Sequence, residues 1–285
     1  MTVPSFCKSL SAAALAASAL SFAGAAGAAP FAFSTGDPDG KIATGSRPPS
    51  PALGKIEIES ADDFILSGHT RITGASFTGL LTDATSSIGS VVVEIYRVFP
   101  FDSNNPPSGK VTTRVNSPSD VAFDTRSNGS GLSFATTLLN ASFTAANSVL
   151  NGIHPNPSEF TGGEGPVSGQ EVRFDVAFTT PFDLPAGHYF FIPQVQATND
   201  EFMWLSAPKP ITGGTGSFVG DLQSWIRNED LAPDWLRIGT DITHQGPFNA
   251  AFSLVGTPVP EPGTYALMLA GLAIVGAAKR WRTRE

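Results

Sequence analysis

Cysteine is almost missing from this sequence: Cys7 is the only one in 285 residues, and it lies in a segment that reads as a removable leader. The remainder has no disulfide, no thiolate nucleophile and no cysteine-based zinc site. About 230 residues can bury a core without disulfides. Positive charge is also scarce. Residues 29–258 carry 12 Lys/Arg against 23 Asp/Glu, a net of −11. Such a domain repels a phosphate backbone, which excludes nucleic acid as a partner. Histidine is limited to His69, His154, His188 and His244, with no second His at metal-ligand spacing. A Gly-x-Ser-x-Gly elbow, a His-Glu-x-x-His helix and a phosphate-binding Gly-Lys-Ser/Thr are all absent. Long helices are disfavoured by 23 Pro and 29 Gly.

What is present is concentrated first at the two ends. Residues 1–28 hold Lys8, an apolar small-residue stretch, and Ala26-Gly27-Ala28. This is the pattern of a signal peptide cut by signal peptidase before Ala29. The C-terminus reads Val259-Pro260-Glu261-Pro262-Gly263-Thr264, followed by an apolar run over 265–278. Lys279, Arg280, Trp281, Arg282, Thr283 and Arg284 come next. The run is shorter than the ~20 residues that span a bilayer comfortably. Snorkelling of Trp281 and the basic side chains lets it cross as a sorting helix. The basic end stays cytoplasmic and the domain outside. Pro260 and Pro262 keep the preceding peptide extended, and Glu261 is the only charge there.

Pro-Glu-Pro, a short apolar span and a terminal Arg cluster together resemble the PEP-CTERM sorting signal. The resemblance implies export in a Gram-negative bacterium that makes extracellular polysaccharide. It implies exosortase as the partner that recognises Pro260, Glu261 and Pro262 and removes the tail. Passage through the inner membrane is then transient, and the mature protein ends on the cell surface or outside the cell, with polysaccharide a further expected partner.

Between the ends, residues 29–55 read as irregular, with Asp37-Pro38-Asp39-Gly40 and Arg47-Pro48-Pro49-Ser50-Pro51 as turn chemistry. Period-2 alternation marks residues 56–256 as the passenger domain, and residues 257–285 as the sorting signal. Val172, Phe174, Val176 and Phe178 alternate with Arg173, Asp175 and Ala177. Other strands are expected over 55–59, 91–99, 189–195 and 249–255. Short helices are expected near 142–150 and 221–227. The fold class is all-β: an antiparallel, jelly-roll-like sandwich with phenylalanine, 21 in all, filling the space between sheets. The stretches 61–64, 115–120 and 234–239 are similar to passenger domains of PEP-CTERM proteins, a likeness that implies a compartment and no chemistry.

No residue set rises to a catalytic constellation, so the expectation is a non-enzymatic protein with no catalytic residue, no metal and no required cofactor. Calcium has two acidic candidates, Asp37 with Asp39 and the pair Asp62-Asp63, because extracellular calcium tolerates weak oxygen sites. Trp204, Trp225, Trp235, Tyr96 and Tyr189 could stack on sugar rings. Trp225, beside Gln223, Ser224 and Arg227, is expected to be the exposed one. The readings in order are an exosortase-sorted surface or matrix protein, a carbohydrate-binding module, and a secreted hydrolase.

Overall fold

The computed structural model describes residues 29–83, 85–104, 109–154, 160–209, 222–260, 270–274, 276, 280 and 281. The signal peptide over 1–28 lies outside them, as do Glu261, Pro262, Lys279, Arg282 and Arg284 of the sorting tail.

Among the described residues the chain forms fifteen strands. In order they begin with β1 (Phe31–Ser34), β2 (Ile42–Gly45), β3 (Ile58–Leu66), β4 (Thr70–Leu81) and β5 (Ile88–Arg97). Then come β6 (Asp124–Ser127), β7 (Ser133–Ala145), β8 (Asn147–Val149), β9 (Val167–Leu184) and β10 (Gly187–Ala197). The last five are β11 (Phe202–Ala207), β12 (Trp225–Asn228), β13 (Leu236–Arg237), β14 (Asn249–Ala250) and β15 (Phe252–Pro258). They make two sheets. The nine-stranded sheet runs β1-β15-β4-β11-β2-β8, with β9 and β7 continuing from β4 and β14 beside β11. The six-stranded sheet runs β13-β12-β3-β10-β5-β6. Pairing is antiparallel throughout except between β2 and β8.

One apolar core lies between the sheets. From the six-stranded side come Phe64, Val91, Val93, Ile95, Tyr189 and Phe191; from the other come Phe77, Phe174, Phe202, Trp204 and Phe252. These are the alternate residues of each strand, as a period of two requires. Phe191 stacks on Phe252 at 5.0 Å and approaches Phe77 at 6.3 Å, so rings from opposite sheets interdigitate. Gly79 is needed for this packing: a Cβ there would come 2.3 Å from the Phe202 ring.

Three expectations are corrected. Residues 29–55 are not irregular, because β1 pairs with β15 and β2 with β11 and β8. Residues 142–150 are not helical, since they hold the end of β7 and all of β8. Residues 225–227 of the second expected helix belong instead to β12, which pairs with β3. The helical pieces instead are a 3-10 turn at Pro51–Leu53 and a π turn at Ile238–Ile242. Among the described residues no helix is long and apolar enough to cross a membrane. Most of the expected sorting helix over 265–278 lies outside them, and residues 270–274 are helical.

Candidate functional site

Three places carry the chemistry that matters. The first is where the chain leaves the domain. β15 pairs along β4 from Phe252 to Pro258, reaching Thr70. One more backbone bond follows, from the Val259 N–H to the His69 carbonyl at 2.8 Å. Pro260 has no N–H to donate and is exposed. Every strand is therefore complete before Glu261. At the far end of the tail, Arg280 and Trp281 are helical and exposed.

The second place is the outer face of the six-stranded sheet. Alternation that sends Phe64 and Val93 inward sends Glu59, Ala61, Glu94, Tyr96, Phe190 and Ile192 outward. That outer face is not left to water. Residues of 98–104, 109–122 and the 229–235 connection lie over it, and Trp225, from β12 of the sheet itself, and Trp235 pack with Tyr96, Phe190 and Ile192 in a second apolar cluster. Register sets the polar row: Arg227 lies opposite Glu59, and Glu94 opposite Thr125. The Arg227 Nε donates to Glu59, its Nη2 to the Tyr96 hydroxyl at 2.8 Å and its Nη1 to the Asp120 carbonyl at 3.0 Å. Its guanidinium also sits 4.3 Å over the Trp235 ring. The Tyr96 hydroxyl lies 2.8 Å from Glu59 and 3.4 Å from Glu94.

Glu57, Glu59 and Glu94 bring one oxygen each within 4.8 Å of one another. Burial, then repulsion from Glu59 and Glu57, pushes the Glu94 carboxyl up to about 8. Burial, with Glu59 beside it, also raises Glu57. Burial raises Tyr96 in the same way, so its phenol stays protonated. Chemically this is a set of three acids in which Glu94 holds its proton and Glu59 is paired with Arg227. Glu59 is 2% exposed and Tyr96 4%, whereas Glu57 and Glu94 are partly exposed. A second buried ion set lies nearby, with Arg114 between Asp120 and Asp234. Trp235 Nε1 donates to the Ser119 carbonyl at 3.2 Å. Of the three stretches singled out by similarity, 115–120 and 234–239 meet over this face, and 61–64 lies in β3 beneath them, with Ala61 in the same cluster.

The third place is a cavity of about 410 Å³ in the same layer, lined by Thr113, Val115, Asn116, Lys209, Leu222, Gln223, Trp225, Arg237 and Pro247. A larger one, about 510 Å³, lies by Lys55, Thr82, Asp83, Asn199, Asp200 and Glu201. There Asp200 accepts the backbone N–H groups of Thr82, Asp83 and Glu201, while Glu201 pairs with Arg47 and Lys55. Its carboxylates are satisfied internally.

The aromatic expectations change accordingly. Trp225 is not an exposed ring: it is 1% exposed, because β12 inserts it beside Ala61. It packs with Tyr96, Phe190, Ile192 and Trp235 and also lines the cavity. Trp204, Trp235, Tyr96 and Tyr189 are buried as well. Asp62 and Asp63 are buried acceptors: Asp62 takes Ser224 Oγ and the Ala250 N–H, and Asp63 takes the Leu222 N–H. Asp39 accepts the Lys41 N–H and the Ser206 hydroxyl, a turn-stabilising role. Among the described residues no three-ligand group includes Asp37 or Asp39.

Comparison with known proteins gives one match. A family model described as the PEP-CTERM protein-sorting motif covers residues 258–284. The chain carries a PEP-CTERM sorting motif. That motif marks a secreted protein targeted by exosortase, on the cell surface or outside the cell. It begins at Pro258, the final residue of β15, so the PEP-CTERM tail and the folded domain meet at a clean boundary. Searches of curated proteins and of solved structures find no match. The carboxylate set was missed in the sequence, although the alternation of Glu57 and Glu59 with Ile56 and Ile58 already put both acids on one face.

Proposed function

We propose that this is a non-enzymatic surface or matrix protein, a two-sheet, jelly-roll-like sandwich delivered by its PEP-CTERM tail. Residues 1–28 carry it to and through the inner membrane, and signal peptidase cuts before Ala29. The tail holds the domain at the membrane until exosortase acts at Pro260, Glu261 and Pro262. Lys279, Arg280, Arg282 and Arg284 stop transfer on the cytoplasmic side.

The observation that carries this reading is the end of β15. All pairing finishes at Val259, so the tail can be removed without withdrawing a strand. A protease cleft needs extended, unpaired substrate, and Pro260, exposed and without an N–H to pair, suits that need. The non-enzymatic reading is supported by Glu59, which is buried and bonded to both Arg227 and Tyr96.

The test is intact mass spectrometry of the protein from its producing cell. The wild type is expected without residues 1–28 and without the apolar run. Glu261→Ala is expected to keep the run, because the motif loses its sole charge. A mutant product of normal mature mass would overturn the assignment of Glu261. A wild-type product that keeps the run would overturn the processing itself.

A second reading, saccharide binding, is favoured by the cavity at Trp225. Its lining combines Trp225, apolar Val115, Leu222 and Pro247, and polar Thr113, Asn116 and Gln223.

A further inference from the structure

We infer that the free edge of β7 docks a second copy of this chain, antiparallel about a two-fold axis at Thr136, so that Leu138 of each copy lies opposite Phe134 of the other. β7 ends the nine-stranded sheet on its side: among the described residues its one strand partner is β9. It is 13 residues long, and every residue from Ala135 to Ser142 is exposed. The backbone groups on its outer side therefore face water and can pair with a further strand.

Edges of this kind are ordinarily guarded by charge, by proline or by shortness. The other outer strands follow that rule. β1 has 4 residues, β8 has 3 and β13 has 2, and β6, also 4, carries Asp124 and Arg126. The first half of β7 has no such guard, because residues 127–153 contain no Asp, Glu, Lys, Arg, His or Pro. Its second half is blunted differently. The register on β9 shifts between Leu138 and Asn140 and again before Phe143, and the Ser142 N–H is taken by Asn140 Oδ1 at 3.2 Å. Ser133–Leu138 is the regular run that remains.

Charge and side chains say what covers this run. The chain has 25 Asp/Glu against 17 Lys/Arg, so two copies repel over most of their surface. The uncharged β7 edge is where they approach without that repulsion. Phe134, Thr136 and Leu138 lie opposite the core residues Val176, Phe174 and Val172, and cross-strand partners share a face. Phe134 packs on the core, whereas Leu138, on the same face, is left 53% exposed. A two-fold axis normal to the sheet keeps each face on its own side. Centred on Thr136, it sets Thr136 against Thr136 and each Leu138 against the other copy's Phe134, an aromatic–aliphatic pair made on both sides of the axis. Both copies use the same edge, so the assembly closes at a dimer. The run is short and the interface small, which puts the dimer in the weak, micromolar class.

The test is sedimentation equilibrium of the purified full chain in mild, density-matched detergent. The wild type is expected to dimerise. Thr136→Lys sets two ammonium groups directly across the axis and is expected to weaken the dimer at least about ten-fold, with salt restoring part of the loss. Thr136 is exposed, so that variant keeps its fold. Disulfide cross-linking reads the register independently. In a Cys7→Ser background, Thr136→Cys is expected to cross-link on oxidation, because residues paired across the axis lie within disulfide reach. Ser142→Cys is expected to stay unlinked, since its two copies would stand about 40 Å apart along the strands. A monomeric wild type would overturn the proposal. So would a dimer unmoved by Thr136→Lys, which would place the contact elsewhere, or cross-linking that does not prefer Thr136→Cys over Ser142→Cys.

Discussion

The two faces of the six-stranded sheet are both buried, and they are built on different physics. The inner face presents Phe64, Val93, Tyr189 and Phe191 to an apolar core. The outer face presents Glu59, Glu94, Tyr96, Ile192 and, from β12 of the same sheet, Arg227, and is covered by loops that bring Trp235 and Arg114. Inside, each ring contributes roughly 2–3 kcal/mol by leaving water, in any orientation that fills space. Outside, desolvating Arg227 and Glu59 offsets most of their attraction, so geometry matters more than area. The inner face holds the sheets together; the outer one fixes where the covering segments lie, and with them the Trp225 cavity.

The largest expected effect belongs to the inner face. Phe191 is fully buried, stacked on Phe252 and edge-on to Trp204. Phe191→Ala should destabilise the domain by about 3–5 kcal/mol in urea unfolding, through lost transfer energy and the void left behind. A cost under about 1 kcal/mol would show that the faces do not differ as argued.

The outer face should respond to how it is cut. Glu59→Gln leaves the Arg227 charge buried without its partner, at a cost of about 3 kcal/mol. The double variant Glu59→Leu, Arg227→Met removes both charges and should recover most of that loss. A double variant as unstable as the single one would mean that the ion pair itself, and not its completeness, stabilises the layer.

The same contrast explains what the sequence revealed. Period-2 alternation over residues 172–178 and 91–95 is a local signal, and both runs are core strands. β1 and β2 were hidden because four-residue strands among Pro and Gly show little periodicity, and β2 is buried on both faces. Leu222, Trp225 and Ile226 have helical spacing, but distant pairing with β3 overrides it. Phe143 and Ala145 likewise pack with Ala43 and Leu80, residues far away in the chain. The sorting motif was legible in full because its meaning lies in consecutive residues. The carboxylate set and the cavity were not, because separate segments, two for the acids and more for the cavity, build them.

The smallest expected effect is a pH dependence, and its sign separates the two faces. Glu94 faces Glu59 and Glu57 on neighbouring positions, with Tyr96, Thr125 and, through Glu59, Arg227 around it. Its carboxyl is raised from 4.5 to about 8 in the folded protein. In the unfolded chain it loses its proton near the ordinary value. Between those limits the folded state binds more protons than the unfolded one, so stability falls as pH rises. Glu57, also raised, acts in the same direction. Glu94 is partly exposed, and water screens the repulsion. The resulting loss should be on the order of 1–2 kcal/mol between about pH 5 and about pH 8. Glu94→Gln keeps the hydrogen-bonding shape, removes the titrating proton and should flatten most of that slope, so the variant overtakes the wild type at the alkaline end. Phe191→Ala should shift the whole curve down without changing its slope. A Glu94→Gln curve parallel to the wild type would place the proton elsewhere and break the distinction between an apolar inner face and a titrating outer one.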